Sequence, residues 1–242
     1  MIQSKLAGLA GGVSQPKAPI PTGFPALDRA LGVGGFPRAA VTELSGPPSI
    51  GKTTLALQWV AWLQEAGLSA AWIDADRTFD PVYAASLGVS LERLPLARPD
   101  SAEQALEMAR RLALSQALDA LVVDSAAALV PQFELDSIAS VGPDLQSRTL
   151  SSGLRSLMRD VVKTDTAVLF VNQMRSRMIA AGDNAETTAG GPSLKLYAAV
   201  RVMLMPAGAG AIRFRTLKNK AATAFSEGLL RRVGGAGFDR NA

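Results

Sequence analysis

Residues 46–54 read Gly46-Pro47-Pro48-Ser49-Ile50-Gly51-Lys52-Thr53-Thr54 and fit the pattern G-x-x-x-x-G-K-[ST]. Such a loop curls its backbone N–H groups around a phosphate, and its lysine supplies a positive charge. Lys52 would reach the β- and γ-phosphates of a nucleoside triphosphate, and the Thr53 hydroxyl would ligate Mg²⁺. Gly46, Pro47, Ser49, Gly51 and Thr54 complete the candidate cradle.

Chemistry on a triphosphate also needs carboxylates. Asp124 follows the apolar run Leu121-Val122-Val123 and is placed for the metal side of the site. Asp76, in Asp74-Ala75-Asp76 after another apolar run, is placed to orient the attacking water. Since the chain has no His, any hydrolysis must run on carboxylates, Lys, Arg, amides and a bound metal.

These residues need elements to aim them. Ala40 to Leu44 reads as a strand before the loop, and Thr53 to Val60 opens a helix after it, so the helix N-terminus also faces the anion. Ala70–Asp74, Ala120–Asp124 and Thr166–Asn172 read as buried strands, apolar as parallel strands covered on both faces should be. Pro25–Leu31 reads as a short helix. A second helix starts at a capping box around Asp100 and Ser101 and buries Ala102, Leu106, Ala109 and Ala113. Leu150, Leu154, Leu157 and Val161 mark a longer one. Beyond residue 198, alternating segments at 200–204, 212–217 and 229–233 suggest an antiparallel extension at one sheet edge. The expected fold is an α/β P-loop NTPase: a twisted, mainly parallel sheet with helices on both faces.

The whole chain agrees with this. At 242 residues it suffices for one large α/β domain, with residues 1–20 read as an arm, 21–235 as the core and 236–242 as a tail. No Cys means no disulfide or zinc-thiolate site; no apolar run approaches a membrane span, and residues 1–5 do not begin a signal peptide, so a cytoplasmic address is expected. A net charge of +4 permits nucleic-acid contact without arguing for it.

The order of blocks resembles the bacterial RecA recombinase family. It is carried by residues 46–54, Ile73-Asp74-Ala75-Asp76, Asp80-Pro81-Val82-Tyr83-Ala84, Val122 to Pro131 and Phe170-Val171-Asn172-Gln173-Met174-Arg175. Glu186 to Gly191, Leu194 to Arg201 and Leu217-Lys218-Asn219-Lys220 complete it, over roughly residues 21–235.

The resemblance implies that ATP and Mg²⁺ are the cofactors, that Asp80 and Tyr83 flank the adenine, and that Gln173 senses the γ-phosphate. It implies that Lys218 and Lys220 reach the ATP of a neighbouring subunit, whether a copy of this chain or a RecA protein. Single-stranded DNA would meet two loops, one around Ser137–Arg148 with Arg148, the other running unstructured from Met174 to Gly191 with Arg175 and Arg177. The second loop has no Phe, Tyr or Trp, so binding there would rest on phosphates.

Some positions depart from the family. Asp76 stands where the family has Glu; the missing methylene displaces a held water by about 1 Å, which can cost on the order of 100-fold, so slow hydrolysis is expected. Pro48 and Ile50 replace the usual Glu and Ser, Leu196 replaces an interface Phe, and Gly182 sits where the DNA loop often has an aromatic. No segment of residues 1–242 is expected to correspond to the family's C-terminal domain. These departures favour a RecA-like accessory protein of the SOS response, like the ImuA group, partnered by RecA and error-prone polymerase components. The alternative is a DNA-dependent ATPase recombinase.

Overall fold

The structure, a computed structural model, describes residues 17–136, 143–178, 184–189, 192–208, 210–235 and 237–241. The strands are β1 (Ala40–Gly46), β2 (Ala70–Asp74), β3 (Leu96–Ala97), β4 (Ala120–Asp124), β5 (Ala167–Met178), β6 (Asn184–Thr188), β7 (Val200–Pro206), β8 (Ala211–Asn219), β9 (Glu227–Val233) and β10 (Gly237–Phe238). The helices are α1 (Pro25–Leu31), α2 (Lys52–Glu65), α3 (Pro81–Ser86), α4 (Ala102–Leu114), α5 (Gln132–Asp136), α6 (Pro143–Val161) and α7 (Ser193–Tyr197).

Side-chain alternation explains the layering. Along β5, Val168 and Phe170 pack against α4 and α6, whereas Leu169 and Val171 join the opposite core around Trp59 and Trp72. Leu121 and Val123 of β4 divide from Val122 in the same way. A strand with both faces buried must be apolar throughout, and β4 is buried at every position.

The strand order is β10-β9-β8-β7-β1-β5-β4-β2-β3, with β6 pairing off β5. β7, β1, β5, β4, β2 and β3 run parallel, and β7 through β10 form the antiparallel extension. The fold is therefore the α/β type expected. Local signals act where they should: α1 opens on a Pro and ends at Gly32 with φ 72°. At the start of α4 the Ser101 hydroxyl, the N-cap, accepts from Gln104 N at 3.3 Å, while the Gln104 side chain accepts from the N–H of Asp100, one residue before the cap.

The expected loop from Met174 to Gly191 is not a loop over its described part. β5 runs on to Met178 and pairs antiparallel with β6, in a register that sets Arg175 opposite Thr187 and Arg177 opposite Ala185. Backbone pairing satisfies these peptide groups where hydrophobic alternation gives little sign of a strand. Residues 179–183 and 190–191, and with them the Gly182 departure, lie outside the described residues. The other expected DNA loop is corrected too: Arg148 is exposed on helix α6, and residues 137–142 lie outside the described residues. Residues 1–16 of the arm do as well. Ile20 and Phe238, at 1% and 3% exposure, lie in the core.

Candidate nucleotide-binding site

Parallel strands deliver their C-terminal ends to one edge, and the candidate residues stand there. Gly46 at the end of β1 is the register partner of Gln173 on β5, and Asp74 at the end of β2 is the partner of Asp124 at the end of β4. Lys52, Thr53, Asp76, Asp124 and Gln173 accordingly line one cavity of about 400 Å³. Its wall also includes Pro48, Ser49, Gly51, Thr54, Thr78 and Ser125.

The loop presents donors to this cavity. Helix α2 begins after Gly51, whose φ of 102° is left-handed, and no side chain caps its first amides. Uncapped N-terminal amides are a ready anion site. Lys52, only 8% exposed, donates through Nζ to Pro47 O at 2.7 Å and Gly46 O at 3.2 Å. Burial pulls its ammonium below the usual lysine range, against the opposing pull of Asp124.

The two residues expected on the metal side meet. Thr53 Oγ1 donates to Asp124 Oδ2 at 2.7 Å. Burial pushes the Asp124 carboxyl up to about 7, with the Thr53 hydrogen bond opposing it and the Asp76 and Asp74 carboxylates adding to it. Beside it the Ser125 hydroxyl is buried without a hydrogen-bond partner, a polar atom facing a space built for something polar. One carboxylate and one hydroxyl fit Mg²⁺, which keeps several waters and takes the rest of its shell from phosphates.

Asp76 is held by its own turn: its Oδ1 accepts from Thr78 Oγ1 at 2.7 Å and Thr78 N at 3.3 Å. Asp74, 1% exposed, anchors that turn by accepting from Thr78 N and Arg98 Nε. Asp124 O accepts from Ala75 N at 2.7 Å, which ties the turn to the metal-side strand.

A second cavity of about 380 Å³ adjoins the first, sharing Ser49, Gly51 and Thr54 and lined further by Tyr83, Arg232 and Phe238. The Tyr83 hydroxyl hydrogen-bonds the Thr54 hydroxyl at 2.8 Å. Asp80 serves locally as the N-cap of α3, accepting from Val82 N and Tyr83 N. Arg232 and Phe238 carry no local sequence signal, since their contacts with the P-loop and with the helix it opens span some 180 residues.

Lys218 and Lys220 stand apart from the lining of both cavities. The Lys218 ammonium donates to Lys195 O and Leu196 O, at 2.8 and 2.9 Å, at the end of α7. Burial, then the nearby Lys220 and Arg201 charges, lower its pKa. Lys220 is exposed just past β8, and Leu196 is 68% exposed. Arg175 and Arg177 follow Gln173 directly on β5, so the strand that ends beside the P-loop continues into the hairpin that carries them. Gln173 O accepts from Ala189 N at 3.0 Å where the hairpin returns.

Comparison with known proteins points the same way. The family model described as the RecA N-terminal domain matches residues 9–238. The chain is 45% identical to Protein RecA of Deinococcus radiodurans over 232 residues, 91% of this chain and 64% of that protein. It is 44% identical to Protein RecA of Rubrobacter xylanophilus, covering 94% of this chain and 69% of that protein, and 44% to that of Thermus thermophilus, covering 91% and 68%. It thus spans about two thirds of the length of these curated relatives. With the loop of residues 46–54, Asp124 and Gln173 gathered at the ends of adjacent parallel strands, and a family match over nearly its whole length, this chain belongs to the RecA family.

Proposed function

We propose that this chain is the ATPase core of a RecA-type protein that binds ATP·Mg²⁺ and single-stranded DNA and acts in homologous recombination and DNA repair. The observation that carries the reading is the gathering of Lys52, Thr53, Asp124, Asp76 and Gln173 around one cavity. The P-loop amides and Lys52 bind the β- and γ-phosphates. Thr53 and Asp124 hold Mg²⁺, which when bound offsets the phosphate charge. Asp76 orients the water that attacks the γ-phosphate, and Gln173 senses that phosphate at the start of the hairpin. Tyr83 and Asp80 bound the base end, Lys218 and Lys220 act toward a neighbouring RecA-family subunit, and Arg148, Arg175 and Arg177 meet DNA phosphates.

The relatives' printed name, Protein RecA, supports this reading above the accessory one. The accessory reading keeps one specific support: a short Asp76 occupied by Thr78, with a Leu at the interface position 196. Under it, hydrolysis is feeble and the partners are RecA and an error-prone polymerase. ATP turnover with and without single-stranded DNA, alongside electron microscopy, separates the two. Strong stimulation with filaments supports the recombinase. A slow, unstimulated rate with discrete particles overturns it in favour of the accessory.

A further inference from the structure

Strand β9 passes beside the P-loop, and its Arg232 reaches the loop's backbone. The Arg232 Nη2 donates to Ile50 O at 2.9 Å and to Ser49 O at 3.3 Å. In a trans peptide the carbonyl and the following N–H point to opposite sides. Holding the carbonyls of Ser49 and Ile50 toward β9 therefore turns the N–H groups of Ile50 and Gly51 away from it, as a phosphate cradle requires. The loop needs holding, because Ser49 has a left-handed φ of 58°, a conformation that L residues keep only when their surroundings enforce it.

The neighbouring strand repeats the contact. Phe238 is the register partner of Arg232, and a Cβ on Gly51 would lie 2.7 Å from its ring. Gln58 of α2 fixes that strand at both polar atoms, its Oε1 accepting from Phe238 N at 2.8 Å and its Nε2 donating to Phe238 O at 2.9 Å. The hairpin is thus fastened to the helix that the P-loop starts, and its arginine grips the loop itself.

We propose that Arg232 is a positioning residue for the phosphate cradle: by pinning the outward carbonyls of Ser49 and Ile50 it presets the loop amides for a polyphosphate. This rests on the reading of residues 46–54 as a nucleotide site. Arg232 acts through the loop and leaves the base to other groups, so its removal weakens binding of the phosphates and spares that of the nucleoside.

The test is calorimetry on the full chain in Mg²⁺ with three probes: ATP, inorganic tripolyphosphate and adenosine. For Arg232→Ala, ATP and tripolyphosphate are expected to bind about tenfold more weakly, the scale of one lost charge-assisted hydrogen-bonding group, with adenosine unchanged. Arg232→Lys, which keeps a donor and a charge, recovers part of the loss. Unchanged ATP affinity in Arg232→Ala overturns the proposal. So does adenosine binding that weakens in step with ATP, which makes Arg232 a base-side contact or a folding residue. Should Arg232→Ala not fold, Arg232→Lys decides: a loss confined to the two phosphate probes supports the proposal, and any other pattern overturns it. If the unaltered chain binds neither ATP nor tripolyphosphate, and Lys52→Ala matches it, the nucleotide-site reading itself has failed.

Discussion

Glu43 and Arg201 are register partners on β1 and β7, and they form an ion pair almost sealed from solvent, at 0% and 13% side-chain exposure. The second Glu43 oxygen accepts from Asn172 Nδ2 at 2.8 Å. Asn172 Nδ2 also donates to Ala189 O at 3.1 Å, and its Oδ1 accepts from Gln173 N at 2.9 Å. One buried carboxylate therefore helps hold both the strand leading to the P-loop and the base of the hairpin. Arg201→Met strands that carboxylate, and a loss of about 3–5 kcal/mol is expected. Adding Glu43→Gln recovers much of it. Urea denaturation midpoints of the single and double variants check both statements.

Lys52→Ala is expected to abolish ATP binding. The ammonium is nearly buried and its donors rest on the loop's own carbonyls, so it is preset for an incoming phosphate. Calorimetric titration with ATP·Mg²⁺ reads the result directly, and unchanged affinity refutes the P-loop assignment.

Asp76→Glu is expected to raise ATP turnover severalfold. The added methylene lets the carboxylate extend beyond the turn in which Thr78 now holds it. Steady-state phosphate release is the measurement, and a lower or equal rate removes Asp76 from the water-orienting role.

Joint replacement Arg175→Ala and Arg177→Ala is expected to weaken single-strand binding. Because each phosphate contact on a single strand contributes about 0.7 to the slope of log K against log salt, the slope should flatten by about 1.4. Binding measured at several salt concentrations tests this; an unchanged slope moves the DNA contact elsewhere.

Arg110 joins α4 to α6, pairing with Glu107 in two places and with Asp160 Oδ2 at 2.9 Å. Hydrogen bonds from Arg110 and then Arg111 pull the Glu107 carboxyl from 4.5 down to about 2, and Arg110 likewise lowers Asp160. A depressed carboxylate pKa means that the unfolded chain binds more protons, so this contribution is full above about 4.5 and disappears as pH falls toward 2. The melting temperatures of the chain and its Arg110→Met variant should differ most near neutral pH and converge below pH 4.

The fold was readable where punctuation and period agree. Pro25–Leu31, Ala70–Asp74 and Ala120–Asp124 form at their expected boundaries because Pro, Gly or polar residues bracket short apolar segments. The β5–β6 hairpin was not readable, since Asn184–Thr188 carries no hydrophobic alternation and is paired through its backbone. The P-loop and its acids stand out because each is defined by neighbours in sequence. Arg232 and Phe238 meet the loop from far along the chain, and nothing around them announces it. Glu43 did leave a trace, a charged residue inside an apolar strand, which burial permits only with a partner.

Gln58 and Phe238 lie 180 positions apart. During translation at 5–20 residues per second, helix α2 leaves the ribosome roughly 10–40 s ahead of the segment that fastens to it. A nascent chain therefore passes through a period in which residues 46–54 and helix α2 are present without the strand that later fastens to that helix.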